Sequence, residues 1–434
     1  MTKEFETLGY YEPGFFHLKV NTDEDLSDLN VLMRNPDTKR FFSTFLHEYI
    51  HFLQDITTTS GLLSATFYID FIKDVNWTIR NDGESEFKVP VEINNKNNIE
   101  ANLKLREIYR GETKGSQLIK YDRYTVERKS IFDKDGQEIN PELYKVHYYD
   151  LKTREPKTLN FGFACIKEYM AHAIQKKYIP DTDHADIPYQ IAEQIVGVEY
   201  PEFGSDPMLV VALCDASLMC FHPAQMFFQT LKRMKEKKFI PQGTREIYDF
   251  AFKELTFQNS LGTETVETLF QSTIDLADKQ LYDALQSQPF LPNYEWISYI
   301  LKQAKNLRDS NPNFMCQLIT DTGQLSDDFF EIFRLLGTPF FSNNKEKGGF
   351  VPPTNLKNTQ IQPYQLLVFK QVIRVFYGHQ SCSLYDFCKT RPDKDITNSH
   401  CLSSPWERAK EDELCPFAQI WKTWGLTNEI PTKK

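Results

Sequence analysis

One stretch constrains this chain more than any other. Between positions 41 and 56, Phe41, Phe42, Phe45, Leu46, Ile50, Phe52, Leu53 and Ile56 place apolar side chains on more than one side of a helix. A helix with so wide an apolar surface belongs in the interior of a domain. The spacing puts its start near Asn35, a suitable N-cap, with Pro36 at the first helical position. The run Thr57-Thr58-Thr59-Ser60-Gly61 weakens or ends it. Set into this apolar helix is His47-Glu48-Tyr49-Ile50-His51.

Residues four apart lie on one face of a helix, so His47 and His51 can offer both imidazoles to one metal ion. Glu48 sits beside the first of them, placed to take a proton from a metal-activated water and pass it to a leaving group. Only nine histidines occur in the chain, and the pattern arises from composition alone on the order of once in a hundred such chains. The plain alternative is two histidines on an amphipathic helix with a surface glutamate. The apolar neighbours on every side argue against it.

The chain has 434 residues and a formal charge of -10, with a sequence pI near 5.5. An acidic balance argues against nucleic acid as the main partner, since phosphate binding needs a basic face. The cluster Lys232-Arg233-Met234-Lys235-Glu236-Lys237-Lys238 reads as the solvated C-terminal end of a helix. The first residues lack a basic stretch followed by an apolar run, and the longest apolar run, Met208 to Cys214, is far short of the roughly 20 residues that cross a bilayer. The expectation is a soluble cytoplasmic protein without membrane contact, its eight cysteines held as thiols or metal ligands.

Along the chain the pattern predicts an α+β protein. Glu86 to Ile93 alternates in strand fashion, with Pro90 marking an edge. Asn94 to Asn98 is a polar loop, and Asp133-Lys134-Asp135-Gly136 is a turn before a strand from Tyr144 to Leu151. These signals define a sheet-rich region over about 66–160. Beyond it, helices are expected at Phe163–Lys177, Tyr189–Val196, Pro207–Phe221, Ala224–Lys237, Arg245–Phe257, Val266–Gln286, Tyr294–Ser310, Ser326–Leu336 and Pro363–Tyr377. The division expected is a catalytic region at 1–200, a helical region at 201–345 and a cysteine-containing cap at 346–434.

The His-Glu-x-x-His helix resembles the zincin metallopeptidases over Phe41 to Gln54. The metzincin continuation needs glycine and histidine where this chain has Gln54 and Thr57, so the resemblance is to the gluzincin pattern, whose third ligand is a glutamate on a later helix. Glu168, in the apolar stretch Phe161 to Ile174, matches that role, with Ala171 as the small residue three positions on. Glu193 and Asp55 are rival ligands. Asp55 would extend three ligands along one helix, which a tetrahedral site disfavours. The resemblance implies zinc as cofactor, a zincin-like core and an intracellular peptidase with Glu48 as general base. His172 and Tyr169 are the expected substrate or oxyanion contacts, the sheet-rich region the substrate edge, and a regulatory protein partner a further possibility. Asp215, alone among apolar neighbours, either supports a ligand histidine or pairs elsewhere. Two other classes stay open: a non-catalytic zincin-like binding protein, and a ferritin-like di-metal enzyme built on Glu48 and His51.

Cys382, Cys388, Cys401 and Cys415 gather in the last eighth of the chain. They are either a structural metal site or incidental thiols, with irregular spacing favouring the second.

Overall fold

The helix Lys39–Thr57 is buried without interruption from Phe42 to Thr57, as its apolar surface on several sides requires. The computed structural model describes residues 8–26, 29, 38–81, 86–92, 98–254, 256–259, 262–287, 290–345, 347–357, 359–389 and 395–434. The helix start expected at Asn35 and Pro36, and the loop residues 94–97, lie outside them.

The helix ends at a corner. Thr58 turns to extended backbone (φ −134°, ψ 152°), and its hydroxyl donates to the Gln54 carbonyl at 2.7 Å and accepts from the Gly61 amide at 3.0 Å. A second helix, Thr59–Asn81, starts at once. Gly61 is required here, because a Cβ at this position would lie 2.2 Å from the Gln54 carbonyl oxygen. From the other side the buried Arg308 closes the helix end, donating to the Thr57 carbonyl at 2.8 Å and to its hydroxyl at 3.1 Å. A cation suits that end of the helix dipole.

The sheet-rich region expected over 66–160 is corrected in its first half. Thr59–Asn81 is helical, and so is Ile99–Arg110. Leu62, Ala65, Ile69, Ile72, Val75 and Ile79 are buried at helical spacing, a period legible in the sequence. Strand in this region comprises Glu86–Val89, an antiparallel meander of Ile119–Arg128, Glu142–Asp150 and Glu155–Phe161, and a short antiparallel pair, Ile131–Phe132 with Glu138–Ile139. The last strand of the meander runs through Gly162 directly into the helix Phe163–Tyr178. The later helices fall close to their expected bounds, from Pro207–Leu218 and Pro223–Glu236 to Leu291–Ser310 and Leu367–Phe376.

Long-range strand pairing joins the segments. His17–Val20 lies between Gly9–Glu12, antiparallel, and Phe340–Ser342, parallel; Gly348–Gly349 completes this four-stranded sheet. Ile430–Lys433 runs parallel to Glu86–Val89. With about 57% helix and 14% strand in separate small sheets, the class is α+β. One continuous buried cluster includes Phe45, Phe52, Phe161, Tyr169, Trp296 and Trp421. Each such side chain contributes about 1.5–3 kcal/mol on removal from water, so the two helices described next are held on a rigid support. No described helix is long and apolar enough to cross a membrane.

Candidate metal centre

The helix Phe163–Tyr178 packs against Lys39–Thr57 in antiparallel sense, as the side-chain contacts between them show. Gln175 reaches Ser43 and His47, Glu168 reaches His47 and His51, and Lys167 reaches Asp55. Residue numbers rise on one helix as they fall on the other.

At the middle of this interface, Nε2 of His47 stands 3.2 Å and Nε2 of His51 stands 3.5 Å from the same carboxylate oxygen, Oε2 of Glu168. Among the described residues these three form the one group of potential ligands, with donor atoms within 4.8 Å of one another. Zinc bonds of about 2.0–2.1 Å at tetrahedral angles place neighbouring donor atoms about 3.3 Å apart. The observed spacing fits such an ion.

The ring orientations are fixed by two glutamines. Nδ1 of His47 lies 3.1 Å from Oε1 of Gln175, and Nδ1 of His51 lies 2.8 Å from Oε1 of Gln54. Each amide is itself oriented by its nitrogen: Gln175 donates to the Ser43 carbonyl at 3.1 Å, and Gln54 to the Lys167 carbonyl at 3.1 Å. The amide oxygens therefore accept, and both histidines donate from Nδ1. In the neutral rings this leaves a bare lone pair on each Nε2, aimed at a carboxylate oxygen. Lone pairs facing one another across 3.2–3.5 Å repel unless a cation or proton lies between them. Burial raises the Glu168 carboxyl, but when the rings carry that intervening proton the charge of His51 and the hydrogen bonds from both imidazoles outweigh it and hold the group well below the ordinary carboxylate range.

Glu48 follows His47 and is buried, 6% exposed. Desolvation pushes its carboxyl up to about 8; His47 pulls it down and Glu168 adds to the rise. The strand Gly9–Glu12 passes close by, and a Cβ on Gly9 would lie 3.2 Å from Cγ of Glu48.

Of the rival ligands, Asp55 is fully buried and ion-paired with Lys167, which ties together the two helices beside the histidines. Glu193 is exposed and lines a neighbouring pocket of about 560 Å³ with His172 and Lys176. Asp215 binds Arg308 through both oxygens, at 2.6 and 2.8 Å, and accepts from Tyr248 at 2.5 Å. It therefore supports the helix end and no ligand histidine.

Tyr169, the other expected oxyanion contact, points away from the cluster. Its hydroxyl donates to the Pro207 carbonyl at 3.3 Å, because one residue along a helix turns the side chain about 100° away from Glu168. His172, one turn after Glu168, stays at the cluster. Its Nδ1 lies 3.0 Å from Nδ1 of His184, so one ring donates and the other accepts. Burial holds His172 down at about 3 and His184 at about 4, which keeps both neutral near pH 7.

His184 and Tyr189 carry no helical pattern that would single them out from sequence. The rings of His184 and Tyr189 lie tilted against each other with centres 4.4 Å apart, and both meet His47, at 5.9 and 6.1 Å. Burial first, then Glu168 and Glu48, raises the Tyr189 phenol and keeps it protonated. Among the described residues its hydroxyl has no hydrogen-bond partner, which leaves a free donor beside the cluster.

Comparison of the chain with protein-family models, with curated proteins and with solved structures finds no significant match.

Proposed function

We propose that this chain is a zinc-dependent peptidase with a zincin-like core, in which His47, His51 and Glu168 hold the metal and Glu48 moves the proton. The observation that carries this reading is the convergence of two Nε2 atoms and one carboxylate oxygen at tetrahedral spacing, with both ring orientations set by glutamines. Zinc held there supplies a Lewis acid that polarises a carbonyl and acidifies a water.

The remaining work falls to the chain's own groups. In the metal-free site burial keeps Glu48 protonated at neutral pH, its carboxyl near 8; a cation held beside it would favour the carboxylate, and that form accepts a proton from the attacking water and returns it to the departing amine. The Tyr189 hydroxyl, protonated and unengaged, donates to the oxygen that gains negative charge. The neutral His172–His184 pair holds the wall beside it. Gly9–Glu12 is an outer strand of its sheet and passes over Glu48, so an extended peptide can pair with it. That edge takes the place of the meander as the substrate strand. The grouped donors include one carboxylate, against the four of a ferritin-like di-iron centre, and this favours hydrolysis over the di-metal alternative.

The test is zinc content together with hydrolysis of an unfolded protein substrate, for the wild type, His47→Ala and Glu48→Gln. The expected result is one zinc fewer in His47→Ala, unchanged zinc in Glu48→Gln, and turnover lowered roughly 10²–10⁴-fold in Glu48→Gln. Equal turnover in Glu48→Gln and wild type, or zinc content indifferent to His47, overturns the proposal.

A further inference from the structure

The irregular spacing of the tail cysteines hides a shared location. Five, twelve and thirteen residues separate Cys382, Cys388, Cys401 and Cys415 in sequence. Yet all four line one cavity of about 20 Å³, together with Arg408 and Phe417. They arrive on four different pieces of backbone. Cys382 precedes the helix Tyr385–Lys389, Cys388 lies in it, Cys401 lies in His400–Ser403, and Cys415 is the N-cap of Pro416–Thr423. A backbone bond from the Cys382 amide to the Cys401 carbonyl, 2.7 Å, ties two of these pieces together.

We infer that Cys382, Cys388, Cys401 and Cys415 form a second, structural metal site that holds one zinc ion through four thiolates. The cavity has room for a single ion and none for an organic ligand. Four sulfur donors with no place left for water are the ligand set of a closed structural zinc site. On binding, four S–H protons pass to solvent and four S–Zn bonds form, which leaves a net charge of −2 on the centre.

The surroundings are arranged for that charge. Nη1 of the buried Arg408 donates to Sγ of Cys401 at 3.2 Å. Burial raises the Cys382 thiol to about 12 and raises the Cys415 thiol as well; acting the other way, the backbone N–H of Leu384 faces the Cys382 sulfur, and those of Ala418 and Phe417 face the Cys415 sulfur at the start of its helix. Neither N–H closes a full capping bond on Cys415. Such donors are what a thiolate, unlike a thiol, gains from. No three of these sulfurs lie within 4.8 Å of one another, as the donors around Glu168 do, so holding one ion requires the short elements to draw in. The tail consists of helices of four to eight residues, and a metal staple supplies order that such pieces lack alone.

The experiment uses the full chain carrying His47→Ala and His51→Ala, which isolates the tail from the other centre. Zinc content is measured, and cobalt is then exchanged in. The expected result is one zinc per chain and intense near-ultraviolet sulfur-to-cobalt absorption. Alkylation of the four thiols should be roughly tenfold slower in the loaded chain than after chelation. Cys388→Ser should lose both the ion and the absorption. If that variant fails to fold, titration of the folded double variant with an organomercurial decides instead, releasing one zinc as four thiols react. Three results overturn the inference: no zinc in the double variant, thiols that alkylate equally fast with and without chelator, or a chain mass showing that these cysteines are joined as disulfides.

Discussion

His47 and Glu168 are 121 residues apart in sequence, yet Nε2 of one and Oε2 of the other are 3.2 Å apart across two antiparallel helices. The contact is more than an ion pair: Gln175 accepts the Nδ1 hydrogen of the same ring, so in the neutral ring Nε2 is left as a donor of electrons. A partner that fixes a ligand histidine in this way sets both its tautomer and its direction.

Gln175→Leu is therefore expected to weaken zinc binding by about 10–100-fold, with little effect on the fold, since leucine fills a similar volume. Competition with a chromogenic chelator measures it. Unchanged affinity would mean that Gln175 does not orient His47.

Glu48 gives the metal-free chain a distinctive pH dependence. Its folded value, about 8, lies above the ordinary 4.5. Below 4.5 the group is protonated in both states and costs nothing. Between 4.5 and 8 only the unfolded chain releases the proton, so folded stability falls as pH rises through this window, by a total on the order of 4 kcal/mol. Glu168 is depressed by His51 and His47, so its stabilising contribution is present above 4.5, and since wild type and Glu48→Gln both keep these three residues it is common to the two profiles. Urea unfolding of the chelator-treated protein between pH 5 and 8 should show a decline in wild type that Glu48→Gln lacks. Parallel pH profiles for the two proteins would refute the assignment.

Lys167 and Asp55 lock the two helices together just beyond the histidines. Lys167→Met leaves the fully buried Asp55 without its cation and is expected to cost about 3–5 kcal/mol. The double variant Asp55→Asn with Lys167→Met removes the stranded charge and should recover much of that loss. Denaturant midpoints of the three proteins provide the comparison, and a double variant no better than the single one would count against the pairing.

Tyr189→Phe deletes one hydroxyl beside the cluster. Zinc content should stay at the wild-type level while turnover falls roughly 10²–10³-fold, the loss expected for one oxyanion donor. A matching Tyr169→Phe change removes a bond to the Pro207 carbonyl and should leave turnover within a few-fold of wild type. The reverse order of effects would restore Tyr169 to the role first expected of it.

Local pattern determined much of this protein. The helix bearing His47, Glu48 and His51, the helix bearing Glu168 and most of the later helices follow from apolar period, prolines and caps, because those signals act over a few residues. The helix Thr59–Asn81 carried the same period, but the three threonines before it read as an ending and not as a corner. Pairing across long separations was beyond local pattern: nothing near His17–Val20 announces Phe340–Ser342 as its neighbour, since that choice depends on how the helices between them pack. The same holds at the candidate site. Four-residue spacing put His47 and His51 on one face, and an apolar helix pointed to Glu168. Only the antiparallel packing of the two helices decided that Gln54 and Gln175 fix the rings, that Asp55 faces Lys167, that Tyr169 turns away, and that His184 and Tyr189 close the wall. One helix fixes the direction of its own side chains, and what those side chains meet depends on the element packed against it.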